Sequence, residues 1–534
     1  MLEVSLTGNK GFRWYATGGR VFAKGYLHEQ GRTLTAADLP EYFLCGSTKE
    51  LEQRLRQANG NFALVHRFGS SVVAAVDRVR SIPLFYSMQP VGVFDNIEEF
   101  DLLRTLPWDE VAAAAFLRSG HTVGARTLVD GVSQLQAGQM LVAGEHELET
   151  HFYFRHYHSS QPIAYGEPPS EQLLAIADHV FGRLVESANG RQLVVPLSGG
   201  FDSRFIAVML KRLEYENVLC FSYGRRDSVE VDTARRVAST LGIRWHYLEH
   251  SYESWGQYLS ALDYHRYATS YCSLPNCPGY TPLKRLHEAG LCDPDAIFVP
   301  GFCGDLLGGS YIPQAVRHGT FLPSTSEELL TYVMGKHFSL QGTSAAPTAL
   351  VDAVRHELGI RHGCDVHDAR SFISNNEEFF TRHKVALVVV NSVREYEHFG
   401  YEWRLPLWDN ELTDFWYQVS HANRVNSRMY NDFLQQSLFV PHNVAYDNKS
   451  VSDVRNRFVR GPVAEALYGF MRPVARRLGG YLLGRRYTDI NDFDSLEQLL
   501  LPTIRSLPER PFANINTLLS IWTLERAKEW RAES

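Results

Sequence analysis

The stretch Leu193-Val-Val-Pro-Leu197-Ser198-Gly199-Gly200-Phe201-Asp202-Ser203 decides how the rest of the chain is read. Leu193 to Leu197 is a short apolar run of the kind a buried strand shows, and Arg204 to Arg212 reads as a helix. Between them lies a tight polar loop. Adjacent glycines let backbone amides approach an anion with no Cβ in the way. The start of a helix adds N–H groups and a positive dipole end. Ser198 and Ser203 bring hydroxyl donors. Asp202 repels phosphate by itself, but makes sense as the holder of a cation, Mg²⁺, that bridges to phosphate oxygens. A plain structural turn would need none of this combination.

Outward from the loop, strand and helix alternate. Val218-Leu-Cys-Phe-Ser reads as a strand, Val231 to Leu241 as a helix stopped at Gly242, and Trp245-His-Tyr-Leu as a strand. Ala296-Ile-Phe-Val begins another. Such alternation predicts parallel β-α-β units in a doubly wound sheet, whose ligands sit beyond the carboxyl ends of the strands. Upstream, Leu173, Leu174, Ala177, Val180, Phe181, Leu184 and Val185 recur at helical spacing after Pro169 and Ser170, which marks the entry helix of this domain. Residues 156–169 read as a linker. The first 155 or so residues read as strands and turns with helical inserts, Phe62-Ala-Leu-Val-His and Ser71-Val-Val-Ala-Ala-Val being β-type runs.

The bulk numbers agree with this division. A length of 534 residues exceeds a single core, and 44% hydrophobic with 21% charged residues is an ordinary globular composition. No apolar run reaches the roughly 20 residues that span a bilayer, and the first residues lack a signal-peptide pattern, so the cytoplasm is expected. A net charge of −7 argues against a general nucleic-acid partner. The seven cysteines, without CxxC spacing, read as free thiols rather than as a disulfide frame or a zinc site. Residues 455–486 hold eight arginines and one acid, Glu465. That segment would suit an anionic membrane or an acidic partner, but a solvated face beside an anionic site is the simpler reading.

The loop is no Walker motif, since no Gly-Lys-Ser/Thr follows. It resembles the SGGxDS loop of the ATP pyrophosphatases and, within them, of asparagine synthetase and its relatives, including β-lactam synthetase and the lasso-peptide cyclases. Phe221-Ser222-Tyr223-Gly224 falls where that family places adenosine contacts. Glu230, Ala234, Ala238, Leu241 and Gly242 follow its E-x3-A-x3-A-x2-LG helix, and Gly301 to Gly309 resembles its second pyrophosphate segment, SGEGSDExxGG. Gly400 to Asp409 resembles G-x-E-x-R-x-P-F-L-D, which reads as buried polar scaffold. Asn448-Lys449-Ser450 falls where relatives carry a catalytic lysine. Upstream, Gly60 to Ala63, Asp77 with Pro83 to Tyr86, and Thr127 to Gly138 resemble the second half of a glutaminase domain.

The resemblance implies an ATP-dependent carbon–nitrogen ligase that adenylates a carboxylate, releases pyrophosphate and then forms an amide with ammonia or an amine. ATP and pyrophosphate contacts fall to Leu197, Ser198, Gly199, Gly200, Asp202, Ser203, Tyr223 and Gly301, Mg²⁺ to Asp202 and Asp305, and catalysis to Lys449. The carboxylate would belong to a small molecule, a glycan or a peptide. A peptidase partner would accompany a lasso-type cyclase, and a homodimer is compatible with the family. Residues 1–157 are expected as a degenerate class II amidotransferase-like domain, a β-rich nucleophile-hydrolase-like sandwich. Residues 170–534 are expected as the synthetase domain, with no motif from about 455 onward.

Two departures stand out. The family's glutaminase uses an N-terminal cysteine, but Leu2 follows Met1 here, the first cysteine is Cys45, and the glutamine-binding strings are missing. Arg80 also replaces a usual glycine. Glutamine hydrolysis is therefore not expected. Three residues before Asp305, Phe302 stands where asparagine synthetases carry Glu, and a phenyl ring can take no proton. That shifts the likeness toward β-lactam synthetase. It also raises a non-enzyme alternative, an ATP-binding scaffold without turnover.

Overall fold

The structure is a computed structural model that describes residues 3–100, 103–144, 147–159, 170–313, 325–341, 345–360, 366–446, 489–505 and 515–533. Its strands are β1 Glu3–Ser5, β2 Tyr15–Thr17, β3 Val21–Glu29, β4 Arg32–Leu34, β5 Asn59–Phe68, β6 Ser71–Val76, β7 Phe85–Met88, β8 Val91–Phe94, β9 Val132–Gln134, β10 Gln139–Ala143 and β11 Leu148–Phe152 in the first part of the chain. β12 Leu193–Pro196, β13 Val218–Gly224, β14 Arg244–Glu249, β15 Ile297–Phe298 and β16 Glu402–Trp403 follow.

The early strands form two sheets. One runs β11-β10-β6-β5-β3-β2, with β4 on β3, and the other β1-β8-β7-β9. Alternation along β5 sorts its side chains. Phe62 and Leu64 join Phe43, Leu51 and Leu55 of the helices Leu39–Phe43 and Thr48–Gln57. Ala63 and Val65 face the other way, into a cluster with Tyr86 and Val93 of the smaller sheet and with Leu84 just before it. The chain turns out of β6 through Arg80, whose φ of 54° lies in the left-handed region that glycine tolerates best. Its buried guanidinium donates from Nε to Leu135 O at 3.0 Å.

The five later strands pair in parallel in the order β14-β13-β12-β15-β16. Successive strands run outward on one side of β12 and then jump to its other side, so the order reverses between β12 and β15. The carboxyl ends of those two strands border the crevice where such sheets take ligands. The entry helix covers Ser170–Ala188 and buries Leu173, Ala177, Val180, Phe181 and Leu184, with Leu174 and Val185 half-buried.

The string from Gly400 to Asp409 supplies an edge strand, β16, as well as a buried polar scaffold. Arg404 binds Glu402 at 3.1 Å. Arg183 holds Asp409 through two nitrogens at 2.9 and 2.8 Å, and Asn59 Nδ2 donates to the same carboxylate at 3.1 Å. Leu405 N donates to the Tyr26 hydroxyl at 3.1 Å. The string thus joins the early sheet to the parallel one. Past residue 489, helices Phe493–Leu500 and Ile515–Glu533 share an apolar cluster with Trp255, Tyr258 and Phe116. Lys449 and the arginine-rich segment lie outside the described residues. No helix among the described residues is long and apolar enough to cross a membrane.

Candidate active site

The loop after β12 folds upon itself. Ser198 N donates to the Ser203 hydroxyl at 3.0 Å, and Gly200 N donates to the Ser198 hydroxyl at 3.0 Å. The helix that follows begins at Phe201, three residues earlier than its apolar pattern indicates, because Asp202 and Ser203 already form its first turn. No side chain caps it at Gly200, which leaves its first-turn amides as anion donors. Arg204, fully buried, braces the loop from behind with Nη2 on Gly199 O at 2.8 Å and Nη1 on Val444 O at 2.9 Å.

Leu197 plays a different part from the residues after it. Its side chain is buried, its N–H donates to Phe221 O at 2.8 Å, and its carbonyl accepts from the Ser222 hydroxyl at 2.6 Å. It ties the loop to β13. Tyr223, near the end of β13, is half-buried and meets His250 edge-on at 5.5 Å, with Trp255 stacked on His250 at 4.5 Å. Burial pushes the Tyr223 hydroxyl well up. Gly224 lies so close to the chain at Ile490 that an added Cβ would stand 2.5 Å from its carbonyl oxygen.

The second loop follows β15 and presses against the first. A Cβ on Gly301 would lie 2.7 Å from Ser203 N, so glycine permits the contact. Phe302 lies half-buried against the main core cluster. Cys303 takes the left-handed φ of 66° and turns the chain into the helix Gly304–Gly308. That turn presents Asp305 N to Asp202 Oδ2 at 3.2 Å. The Tyr430 hydroxyl donates to the other oxygen, Oδ1, at 2.7 Å.

The Asp202 carboxylate therefore meets the backbone of Asp305 where the strand order reverses, close enough to feel the Asp305 charge. Burial raises the pKa of Asp202 to about 7 with help from the Asp305 charge, while the Tyr430 hydroxyl and the N–H groups of Asp305 and Gly304 pull it down. Burial also raises Asp305, whose side chain keeps contact with solvent. Mutual repulsion between acids is relieved by a cation placed between them. No group of three or more His, Cys, Asp or Glu among the described residues is arranged to hold a metal. A divalent ion here would take two protein carboxylates and complete its shell from water and phosphate, as Mg²⁺ does. The residues fit that ion.

The segment that supports both loops carries no motif. Arg424 donates to Leu307 O at 2.8 Å and Leu306 O at 3.3 Å, and Ser427 Oγ donates to Asp305 O at 3.3 Å. Tyr430 and Arg424 resemble ordinary core residues in the sequence. Only the fold brings them to the site.

The probable glutamine-hydrolysing asparagine synthetase of Acanthamoeba polyphaga mimivirus is 36% identical over 105 residues, 18% of this chain and 19% of that protein. The 7-cyano-7-deazaguanine synthase of Syntrophus aciditrophicus is 44% identical over 57 residues, 10% of this chain and 25% of the relative. The chain thus spans a quarter or less of these curated relatives. Among solved structures, the NH3-dependent NAD synthetase of Campylobacter jejuni aligns at 15% identity and a TM-score of 0.20, covering 34% of this chain and 92% of that one. The asparagine synthase family model matches residues 183–479, from the helix before the glycine loop to beyond the supporting segment, and on that match the chain belongs to the asparagine synthase family.

Proposed function

We propose that the protein is an ATP-dependent amide-forming ligase that converts a substrate carboxylate to its acyl-adenylate and then transfers the acyl group to ammonia or an amine. The observation that carries this reading is the contact of the two loops between β12 and β15, where Asp305 N donates to the Asp202 carboxylate and the Asp305 charge acts on Asp202. Ser198, Gly199, Gly200 and Ser203 cradle the β- and γ-phosphates with the amides of the first helical turn, and Tyr223 borders the adenosine. Gly301 lets the second loop close on the first. Asp202 and Asp305 would hold Mg²⁺, which would supply charge neutralisation for the pyrophosphate leaving group. The carboxylate oxygen attacks the α-phosphorus, an oxygen–phosphorus bond forms, and the bond to pyrophosphate breaks. The neutral amine nitrogen then attacks the acyl carbon, a carbon–nitrogen bond forms, the acyl carbon–oxygen bond to AMP breaks, and the nitrogen gives up one proton to water. Lys449 offsets the charge that builds in amide formation.

In this reading residues 1–157 are a retained amidotransferase-like sandwich without glutaminase chemistry, residues 170–534 are the synthetase domain, and the enzyme works in the cytoplasm. The carboxylate classes in view are aspartate, a uronic acid of a polysaccharide, a β-amino acid and a peptide. Phe302, where asparagine synthetases carry an acid, favours a cyclase of the β-lactam or lasso type as the second reading. A screen for pyrophosphate release over these classes, with ammonia and with amines, tests the proposal. Release with one class supports it, and ATP hydrolysis to ADP and phosphate overturns it.

A further inference from the structure

The segment after the helix Asn410–Gln418 crosses both loops of the candidate site. Its turn holds two consecutive non-glycine residues in the left-handed region, Asn426 at φ 60° and Ser427 at φ 53°. Such conformations are costly for residues with a Cβ and persist where the surroundings over-determine them. Here the surroundings are the two loops. Arg424 binds the carbonyls of Leu306 and Leu307, Ser427 binds the carbonyl of Asp305, and the turn starts the helix Arg428–Phe433 that delivers Tyr430 to Asp202.

The Tyr430 ring is held on several sides. Trp416 meets it edge-on at 5.8 Å and Phe205 at 6.5 Å. Two glycines make room for it. A Cβ at Gly308 would stand 2.7 Å from Tyr430 Cβ, and one at Gly304 would run into the hydroxyl and come within 2.7 Å of Asp202 Oδ1. With Oδ1 taken by the hydroxyl and Oδ2 by Asp305 N, the Asp202 carboxylate has one orientation relative to Asp305.

We propose that Tyr430 is a positioning residue for the divalent cation: its hydroxyl fixes the plane of the Asp202 carboxylate so that Asp202 and Asp305 bind one ion together. The proposal rests on the MgATP reading of the site. A hydrogen bond to an ionised ligand costs little to keep once the ring is packed, and losing a partner of this kind typically weakens metal binding 10–100-fold.

The test is a titration of the full chain with Mn²⁺, following the free ion by its paramagnetic resonance, in the presence of a non-hydrolysable ATP analogue. Tyr430→Phe keeps the ring and removes only the hydroxyl. Its dissociation constant for Mn²⁺ is expected to rise about 10–100-fold, while Arg428→Ala, on the exposed face of the same helix, binds as the parent does. In an Asp202→Asn background, Tyr430→Phe is expected to weaken the residual binding no further, because its effect passes through Asp202. Unchanged Mn²⁺ affinity in Tyr430→Phe, or an equal loss in the Asp202→Asn background, overturns the proposal and leaves the MgATP reading standing. A parent chain that binds no Mn²⁺ with the analogue overturns both. If Tyr430→Phe fails to fold, Gly304→Ala pushes the hydroxyl off Asp202 by a separate route, and undiminished Mn²⁺ binding there is equally fatal.

Discussion

Arg424 meets Glu377 through Nη2 at 3.0 Å, with both side chains 1% exposed. Burial alone would raise Glu377, but Arg424 and His158, whose Nε2 lies 2.6 Å from Oε2, hold its carboxyl below the ordinary range. Because Arg424 also grips Leu306 and Leu307, this pair anchors the loop that carries Asp305 to the segment leaving the early sheets at His158.

Breaking that pair should be expensive. Arg424→Met strands Glu377 in the interior, and removing one partner of a buried ion pair costs roughly 3–5 kcal/mol. The expected result is a large fall in the urea midpoint that is partly restored when Glu377→Gln is added, since the second change removes the stranded charge. A single variant as stable as the parent would show that the pair contributes nothing net.

At the candidate site, Asp202→Asn and Asp305→Asn should each abolish ATP cleavage to AMP and pyrophosphate without unfolding the chain. Loss of a carboxylate that steadies a metal-bound leaving group is worth several kcal/mol, or at least ~100-fold in rate. Nucleotide chromatography with a responsive carboxylate reads this directly. Full AMP production by either variant would remove its aspartate from the proposed chemistry.

Glu395 gives a pH signature independent of catalysis. It is 3% exposed, accepts from Asn276 Nδ2 at 2.7 Å, and burial raises its pKa to about 8. Its folded-state pKa exceeds the ordinary value of 4.5, so between these two pH values the folded chain binds the extra proton. Stability is therefore greatest below the ordinary value and falls as pH rises toward about 8, with a slope approaching ~1.4 kcal/mol per pH unit. Glu395→Gln removes the ionisable group while keeping an amide for Asn276. The variant should gain stability over the parent as pH rises across this window, by an amount read from paired melting curves. A constant difference at all pH values would show that Glu395 does not titrate there.

Much of this architecture could be read from the residues because short-range patterns determined it. Leu193 to Leu197 is apolar and uninterrupted, Ser198 to Ser203 follows at once, and the helix after β13 stops at Gly242 in the left-handed conformation. The edge strand β16 was harder. Only Glu402 and Trp403 pair with β15, and a two-residue strand has no periodicity. Arg80 shows the limit of a resemblance. The usual glycine suggests a left-handed position, and the fold keeps that φ while filling it with a buried guanidinium. Tyr430 and Arg424 had no local signal. Their roles come from a chain reversal that places Tyr430 beside a residue 228 positions earlier.

Lys449 lies outside the described residues, so its role rests on its place in the sequence after the Gly400–Asp409 string and is open to a direct test. A cation aimed at charge that develops during reaction helps the transition state more than the ground state. If Lys449 acts in amide formation, Lys449→Met should leave nucleotide-analogue binding intact and largely spare carboxylate-dependent exchange of pyrophosphate into ATP. Amide product should fall ~100–1,000-fold, the scale seen when one oxyanion donor is lost. Lys449→Arg should recover only part of the loss, because a planar fork is a poor stand-in for a mobile point charge. Measuring exchange and amide formation on one preparation separates the half-reactions. Equal loss of both would move Lys449 to the adenylation step, and unchanged amide yield would reduce it to a surface lysine.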